Sequence, residues 1–376
     1  MARLGDLVTI SSSSEKLKCD TFWLLNLDMV EQQTGNIIEY NYVSKDQLNG
    51  SIIQFDADVV LYSKLRPNLN KVVLPEQAGF ATSEMLPLRP DSSKLLREYL
   101  AVYLRSDSFV TWAVSKTAGA KMPRLGTKEL LGKEFSLPSL CEQRKIVSEF
   151  QKINKLIFLR KQQLSKLDEL VKSRFIELFG DPMTNSNGYV LKKYGDLFEL
   201  NAGGTPSKQK SEYWDNGTIS WIGSNMCQNT VIYENDGNYI TEEGLKHSSA
   251  RMFPVDTVLI ALVGATIGKT ALLKFETTTN QNVLGVRGIR ESGYTPEFIF
   301  HYTQGLYQKF LNIGDGGFAM ASKGFISELP VPVVDLALQE QFAAFVEQTD
   351  KSKFEIQKSL EKLETLKKAL MQKYFR

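Results

Sequence analysis

The chain has few of the residues that build metal sites, disulfide frameworks and histidine-based catalytic centres. Its 376 residues include 3 cysteines and 2 histidines. Cys19, Cys141 and Cys227 stand far apart without a C-x-x-C pair, so neither a structural zinc site nor a disulfide framework is indicated. His247 and His301 leave little room for a catalytic triad or a multi-histidine metal site. We therefore expect no metal ligands and a reducing compartment.

The chain also lacks an excess of charge of one sign and any long hydrophobic run. It holds 45 basic and 43 acidic residues, a formal net charge of +2, which excludes a uniformly basic nucleic-acid coat and an acidic tail. No run approaches the ~20 apolar residues of a membrane span, and the N-terminus lacks the apolar core of a secretory signal. These absences predict a cytoplasmic, globular protein of two or three domains.

An internal repeat organises what is present. The sequence LGDL at 4–7 returns as YGDL at 194–197, and FDADVVL at 55–61 returns as FPVDTVL at 253–259. Each copy then runs through a proline-marked strand end into a long charged helix. At that junction FSLPSLCEQ, ending at Gln143, matches LPVP at 329–332, followed after a short insertion by QEQ at 339–341.

The repeat predicts the domain organisation and the fold class. We expect globular α/β domains at 1–139 and 181–335, with long helices at 140–180 and 336–376. The fold class is α+β, with two repeated α/β domains joined by two long antiparallel coiled-coil helices in a pseudo-twofold arrangement.

The two helices carry apolar residues at alternating spacings of four and three, as a heptad pattern requires. Shifting the register of the first helix by 196 residues picks out the apolar positions of the second. The core of this predicted seam is Ile153, Ile157, Leu164, Leu167, Val171, Ile356, Leu360, Leu363 and Leu370. We expect the two stripes to pack on each other, and the alternative is that each helix packs only on its own globular unit.

One glycine-rich segment is similar to a nucleotide-binding loop. In GATIGKT at 264–270, three residues separate the glycines where the phosphate-loop pattern requires four, and a strand is predicted to follow rather than a helix. An ATPase using Lys269 is therefore disfavoured. We expect a tight hairpin that presents Thr266 and Lys269 to a phosphate backbone.

Two further catalytic patterns are incomplete. Pro90, Asp91 and Glu98 are similar to the acidic cluster of metal-dependent nucleases, but Leu100 stands where that pattern has a lysine. The DPM sequence at 181–183 falls short of the loop of amino-methyltransferases, and a glycine-rich strand end for a methyl donor is missing. The chain is predicted to be non-catalytic.

Polar loops with lysine or arginine recur at matching places in both units. Such side chains can contact phosphates and base edges, so they predict a DNA-recognition surface. The candidate DNA-binding residues of unit one are Lys64, Arg66, Asn68, Lys71, Lys121 and Arg124. Those of unit two are Thr205, Lys208, Thr266, Lys269, Asn280, Gln281 and Lys323.

The distribution of charge qualifies this prediction. Residues 141–180 hold 9 basic and 5 acidic side chains and residues 336–376 hold 8 and 6, which leaves 28 basic and 32 acidic residues for the globular units. Positive charge for DNA binding must therefore be gathered on one surface of each unit.

These features together resemble the specificity subunit of type I restriction-modification systems over essentially the whole chain. The resemblance is carried by the order of unit and helix, by FGDP at 179–182, and by NAGGTP, VGATIGK and TNQN at 201–206, 263–269 and 279–282. A Pro-x-x-x-Glu-Gln helix entry at 138–143 adds to it. The second copy departs from this entry by the insertion at 333–336, which leaves the start of its helix open.

The resemblance implies two target-recognition domains, each binding one half of a bipartite site in double-stranded DNA, with the helices setting the spacing. It implies that methyltransferase and restriction subunits bind this chain. S-adenosylmethionine, ATP and Mg would be held by those partners, and the assembled complex would be an adenine-specific methyltransferase and ATP-dependent endonuclease. The alternative hypothesis is a coiled-coil adaptor whose two domains bind other ligands.

Overall fold

A computed structural model describes residues 1–12, 20–119, 121–289, 293–313 and 320–376, so Cys19 lies outside the described residues. The chain forms two compact units. Unit 1 comprises residues 1–162 together with 357–376, and unit 2 comprises residues 163–356. Each long helix therefore contributes one part to each unit. In the described part of the chain, no helix is both long enough and apolar enough to cross a membrane.

In its described residues, unit 1 contains twelve short strands and three short α-helices before its long helix. The strands are β1 (Ala2–Arg3), β2 (Val8–Ile10), β3 (Thr21–Leu25), β4 (Asn41–Ser44), β5 (Ile52–Phe55), β6 (Val60–Ser63), β7 (Val72–Val73), β8 (Gly79–Thr82), β9 (Met85–Pro90), β10 (Thr117–Ala118), β11 (Arg124–Leu125) and β12 (Glu134–Phe135). The helices are α1 (Arg97–Leu104), α2 (Asp107–Ser115), α3 (Thr127–Leu131) and the long α4 (Leu140–Phe179).

Two four-stranded sheets dominate this unit. One has the order β2-β9-β6-β7 and the other β4-β3-β8-β5, in which β3 and β8 run parallel. Strand β6 is buried on both faces: Val60 and Tyr62 join the core beneath α1, and Leu61 joins the core of the second sheet. Burial on both faces explains why the strand is a continuous apolar run rather than an alternating one.

Unit 2 repeats this plan. Its strands are β13 (Leu191–Lys193), β14 (Phe198–Ala202), β15 (Ile219–Ile222), β16 (Thr230–Ile232), β17 (Tyr239–Ile240), β18 (Met252–Phe253), β19 (Val258–Ala261), β20 (Thr270–Leu273), β21 (Thr277–Thr279), β22 (Val283–Gly288) and β23 (Pro330–Pro332). Its helices are α5 (Tyr194–Leu197), α6 (Glu242–Lys246), α7 (Pro296–Gly305), α8 (Tyr307–Leu311), α9 (Lys323–Ser327) and the long α10 (Leu336–Tyr374).

The sheets of unit 2 match those of unit 1 strand by strand. The first has the order β14-β22-β19-β20-β16 and the second β17-β15-β21-β18, again with a parallel central pair, β15 and β21. Strand β19 takes the place of β6, since Val258 and Ile260 face one core and Leu259 faces the other. The mixed α/β repeat predicted from the sequence is confirmed. Unit 2 adds β16 at the edge of its first sheet, parallel to β20.

A buried glutamine anchors α4 to the globular part of unit 1. The side-chain oxygen of Gln143 accepts a hydrogen bond from the backbone N–H of Leu96 at 2.9 Å. Its amide donates to the carbonyls of Lys94 at 2.8 Å and Pro138 at 2.9 Å. Both donors and the oxygen of the buried amide are therefore bonded to backbone, which joins the start of α4 to the segment that precedes α1.

Gln339 does the same in unit 2. Its side-chain oxygen accepts from the N–H of Thr295 at 2.9 Å, and its amide donates to the carbonyls of Gly293 at 3.0 Å and Val334 at 3.3 Å. Both glutamines are fully buried. Gln143 and Gln339 are thus equivalent residues at the roots of the two long helices.

This equivalence corrects the match made on sequence letters alone. That match paired Gln143 with Gln341 and required an insertion at 333–336. Gln341 is exposed, whereas Gln339 makes the anchoring bonds, and α10 begins at Leu336. The offset between equivalent positions is therefore 196 residues throughout the long helices, as the heptad register predicts, and the segment before α10 contains no insertion.

In both units α4 and α10 contact each other in antiparallel directions. In unit 1 the Tyr374 hydroxyl donates to Glu149 at 2.9 Å, and Phe150 packs near Phe375. In unit 2 Lys353 pairs with Asp168 at 2.7 Å, and farther along α4 the ring of Phe175 contacts Phe342. Among the seam positions, Ile153, Val171 and Leu360 are buried and Ile157, Leu164, Leu167, Ile356, Leu363 and Leu370 are half-buried.

Candidate nucleic-acid interface

In unit 2 the loops that carry most of the predicted residues meet at one end of the two sheets. The segments after β14 and β15 and those joining β19 to β20 and β21 to β22 all lie there, because the paired strands place these ends together. Gly204 donates its N–H to the carbonyl of Thr279 at 2.8 Å, and Asn280 donates to that of Ile222 at 3.1 Å. The loops are therefore joined by backbone hydrogen bonds before any ligand binds.

Side chains on these loops form a polar surface that we call the unit 2 cluster. Thr205 donates from its hydroxyl to Gln281 at 2.5 Å, and Lys269 donates to the side-chain oxygen of Gln228 at 2.9 Å. The cluster consists of Thr205, Asn225, Gln228, Thr266, Lys269, Asn280 and Gln281. Amide and ammonium groups of this kind can pair with base edges and phosphates.

Glycines at two places allow the loops of the cluster to adopt this arrangement. Gly203 lies so close to the next loop that an added Cβ would stand 2.0 Å from Thr279 Oγ1 and 2.4 Å from the carbonyl oxygen of Asn280. Gly264 and Gly268 adopt left-handed φ values of 69° and 73°, which close the hairpin between β19 and β20. Strand β20 follows this hairpin, so no helix N-terminus faces the glycines as a nucleotide-binding loop requires.

Two cluster residues, Asn225 and Gln228, and the neighbouring Asn229 were not predicted from the sequence. Asn225 and Gln228 lie on the turn after β15, and Asn229 accepts a hydrogen bond from the N–H of Thr270 at 2.9 Å. The signal was present as the polar sequence SNMCQN at 224–229, directly after the ISWI strand. Two predicted residues, Lys208 and Lys323, are exposed on flanking segments and make no contact with the cluster within the described residues.

In unit 1 the corresponding loops are also joined by backbone hydrogen bonds. Arg66 donates its N–H to the carbonyl of Pro123 at 2.8 Å, and Leu125 donates to that of Lys64 at 2.9 Å. The guanidinium of Arg124 pairs with Glu84 at 3.1 Å. The exposed or half-exposed side chains that this arrangement gathers, which we call the unit 1 cluster, are Lys64, Arg66, Asn68, Lys121 and Arg124.

The backbone of this loop is held in an uncommon conformation. Arg66 and Asn70 adopt left-handed φ values of 50° and 51°, on either side of a single turn at Pro67–Leu69. Such residues cost of order 1–3 kcal/mol each, and they persist only where surrounding contacts fix them. The strained turn presents Arg66 and Asn68 at the surface.

Lys71 has a different role from the one predicted for it. Its ammonium group donates to the carbonyl of Leu27 at 2.5 Å within the fold, and burial lowers the pKa of Lys71, with Asp28 opposing that shift. The offset between matching strands pairs Lys71 with Lys269, whose ammonium group instead bonds the side chain of Gln228. The two equivalent lysines thus bond to the turns after β3 and β15, one to backbone and one to an amide.

The acidic residues of the incomplete nuclease pattern, Asp91 and Glu98, make local contacts within the fold. Asp91 accepts from the N–H of Ser93 at 3.1 Å and pairs with Lys94 at 3.2 Å, and Glu98 pairs with Arg97 at 3.4 Å. Among the residues that the structure describes, no group of three histidine, cysteine or acidic side chains converges as metal ligands do.

Fold and loops together define a duplicated mixed α/β protein that displays one polar surface on each repeat, mainly cationic in unit 1 and mainly of amide side chains in unit 2. The chain belongs to the family described as type I restriction modification DNA specificity domain, whose family model matches residues 2–169 and again residues 187–368. The family predicted from the sequence is confirmed.

Individual relatives and structures agree with this assignment. The chain is 34% identical over 113 residues to the EcoR124I/EcoR124II specificity subunit of Escherichia coli, a match that covers 29% of this chain and 27% of the relative. It is 30% identical over 165 residues to the MjaIX specificity subunit of Methanocaldococcus jannaschii, covering 43% of this chain and 37% of the relative. The matched parts thus span about a third of these curated relatives.

Two solved structures share the fold. The S subunit of a type I restriction-modification system from M. genitalium aligns with a TM-score of 0.61 and 14% identity, covering all of this chain and 95% of that one. A chain from a study of complex assembly and conformational transition of the type I R-M system aligns with a TM-score of 0.64 and 16% identity, covering all of this chain and 97% of that one. At these identities the likeness shows the fold alone.

Proposed function

We propose that this chain is the non-catalytic DNA-recognition subunit of a type I restriction-modification complex in the cytoplasm. The observation that supports this most strongly is the duplication: the same end of the same sheet pair carries a polar cluster in each unit, mainly cationic in unit 1 and mainly of amide side chains in unit 2. Two such surfaces suit a bipartite site in double-stranded DNA, with one half bound by each unit. The clusters differ in sequence, so the two half-sites should differ as well.

The long helices suit a spacer between the two recognition units. Each helix is continuous, contributes residues to both units and is anchored at its root by Gln143 or Gln339, which suits a spacer whose length matches the interval between two half-sites. The predicted seam residues Leu167 and Leu363 are half-buried. Replacing both with lysine places two charges in the seam and should separate the helices.

The spacing is tested with the complex formed by this chain and its methyltransferase subunit. Methylated positions in cells that carry the system identify the half-sites, and duplexes are then made with the spacer lengthened or shortened by one to three base pairs. The wild-type complex should bind one spacer length at least tenfold more tightly than the others. The double variant Leu167→Lys, Leu363→Lys should lose that preference, and retention of it would contradict a spacer role.

Repeat-related apolar residues on the helices favour the docking of two copies of the same partner. Phe158 and Phe354, 196 residues apart, are 62% and 60% exposed. Leu170 and Leu366, also 196 apart, are both 48% exposed. Each unit therefore displays one phenylalanine and one leucine at equivalent places, which suits a methyltransferase subunit on each.

The catalytic groups and cofactors belong to those partners in this proposal. S-adenosylmethionine would be bound by the methyltransferase subunits, and ATP and Mg by restriction subunits. The double variant Phe354→Ala, Leu170→Ala should reduce the native mass of the assembled complex by one methyltransferase subunit. An unchanged mass would contradict docking at these residues.

A further inference from the structure

A hairpin between β3 and β4 places polar side chains beside the unit 1 cluster. Val30 and Ile37 form an isolated antiparallel bridge, and Glu31 donates its backbone N–H to the carbonyl of Asn36 at 2.8 Å. Val30 is buried in the core of the second sheet, which anchors the hairpin in the fold. We call residues 31–36, with the sequence EQQTGN, the tip of this hairpin. None of the sequence motifs considered above includes them.

Hydrogen bonds to Glu31 close the tip. Its carboxylate accepts from the hydroxyl of Thr34 at 2.5 Å and from the side-chain N–H of Asn36 at 2.9 Å, and its backbone carbonyl accepts from Gly35 at 3.2 Å. The hydrogen bonds from Thr34 and Asn36 lower the pKa of Glu31, so its carboxylate is ionised at neutral pH and bound within the turn. The tip therefore has a defined shape before any ligand binds.

Contacts with the segment after β6 fix the position of the tip. Gln33 donates its backbone N–H to the carbonyl of Leu69 at 3.1 Å, and its side-chain Nε2 donates to the carbonyl of Asn68 at 2.9 Å. A Cβ added to Gly35 would overlap the carbonyl oxygen of Val72, so the tip lies directly on this segment. Gln33 is thus in contact with the strained turn that presents Asn68 in the unit 1 cluster.

Gln33 combines an uncommon backbone conformation with an available side chain. Its φ of 64° lies in the left-handed region, where glycine is the usual residue. The side chain is exposed, and among the described residues its oxygen and its second amide N–H have no hydrogen-bond partner. The bond to Asn68 holds the amide in place and leaves one donor and one acceptor free. Such an amide can pair with N7 and N6 of adenine.

The two repeats bring a glutamine to the same place and use it differently. In unit 2 the turn after β15 brings Gln228 to the hairpin between β19 and β20, where its oxygen accepts from Lys269 at 2.9 Å. In unit 1 the segment after β3 brings Gln33 to the turn between β6 and β7. The equivalent lysine, Lys71, bonds to the carbonyl of Leu27 instead, so it leaves the oxygen of Gln33 free. Unit 1 therefore presents an amide where unit 2 presents a cation.

We propose that Gln33 recognises an adenine in the half-site bound by unit 1, through its side-chain oxygen and its free N–H. This role rests on the proposed function and deepens it, because it names one base contact of unit 1. An amide already held by Asn68 loses little conformational freedom on binding. A bidentate pair with one base also gives sequence discrimination, which a phosphate contact does not.

The test uses the complex of the full chain with its methyltransferase subunit. Gln33→Ala removes the amide, Gln33→Gly removes it and also suits the left-handed φ, and Gln33→Glu substitutes a group that accepts from N4 of cytosine. Gln151→Ala, at an exposed amide on α4 in the same unit, is the matched control. Affinities are measured for the site found by methylome sequencing and for duplexes in which each base pair of both half-sites is replaced in turn.

We expect Gln33→Ala and Gln33→Gly to reduce discrimination at one A·T pair by about fivefold or more and to leave discrimination at the other pairs unchanged. Gln33→Glu should prefer C·G to A·T at that pair. The affected pair should lie in the half-site that Asn280→Ala and Gln281→Ala do not relax. The unfolding midpoint of Gln33→Gly should stay within about 2 °C of the wild type, which separates lost recognition from lost folding. Gln151→Ala should match the wild type throughout.

Wild-type discrimination at every base pair in the Gln33 variants would overturn the inference. An equal loss of affinity for all duplexes would also overturn it, because that result indicates a phosphate contact or a structural role. Relaxation at a G·C pair alone would contradict the assignment to adenine. A wild-type complex without preference for its own site would contradict the proposed function itself, so the two failures are distinguishable.

Discussion

The two units share a scaffold but differ in their loops. Both pair two sheets around a strand buried on both faces, and both anchor a long helix through one buried glutamine. Unit 1 forms its surface with a strained Lys-Arg-Pro turn, whereas unit 2 uses a glycine hairpin and amide side chains. Contacts that maintain the fold are thus repeated, and contacts available to a ligand are not.

Replacing either anchoring glutamine should cause the largest loss of stability, and the loss should be similar in the two units. Gln143→Leu and Gln339→Leu each leave a buried N–H and two carbonyls without their partner, at about 1–3 kcal/mol for each unsatisfied group. We expect either variant to lower the free energy of unfolding of its unit by about 3 kcal/mol or more, measured by urea titration. Gln341→Leu should stay within about 0.5 kcal/mol of the wild type. A large loss of stability for only one of the two variants would contradict the equivalence of Gln143 and Gln339.

A buried histidine should make unit 2 more sensitive to acid than unit 1. Burial among aromatic rings, with Lys353 nearby, lowers the pKa of His301 to about 3, whereas Val102 stands at the equivalent position of unit 1. An unfolded chain protonates His301 near pH 6.5, so the stability that the neutral ring contributes above that pH is lost as pH falls toward 3.

The replacement His301→Val should remove this dependence. Between pH 7.5 and pH 5.5 the wild type should lose about 1 kcal/mol more stability than the variant, because the slope is at most about 1.4 kcal/mol per pH unit below 6.5. Urea unfolding at the two pH values measures the difference. Equal losses in wild type and variant would show that His301 is not held neutral by the fold.

The equivalent lysines Lys71 and Lys269 should separate folding from binding. Lys71→Ala leaves the carbonyl of Leu27 without its donor and should cost about 1–2 kcal/mol of unfolding free energy in unit 1. Lys269→Ala should leave stability within about 0.5 kcal/mol and reduce the salt slope of DNA binding by about 0.9. The opposite pattern, with Lys71→Ala altering only DNA binding, would contradict the roles drawn from their contacts.

The features that were predicted well from the sequence are those marked by residues at a regular spacing. Residue spacing alone predicts the repeat of 196 residues in the long helices and their apolar seam. It also predicts the strand that is buried on both faces in each unit. The observed β6 (Val60–Ser63) and β19 (Val258–Ala261) begin within the repeated sequences at 55–61 and 253–259.

The features that sequence missed depend on contacts between distant segments. Gln143 was aligned with Gln341 because both follow a glutamate, while the true equivalence rests on backbone partners more than 40 residues away. Lys71 carries the charge expected of a DNA contact, and only the structure shows that its ammonium group bonds to Leu27.

The most direct test of the account is to change the unit 2 cluster alone and determine the methylated sequence. Asn280→Ala and Gln281→Ala remove two amides from the cluster, and Gln308→Ala, on α8, offers a control within the same unit. Methylome sequencing of cells that carry each variant system gives both half-sites and the spacer together. We predict that one half-site is relaxed while the other half-site and the spacer length are unchanged. Loss of specificity in both half-sites, or in neither, would contradict recognition of one half-site by each unit.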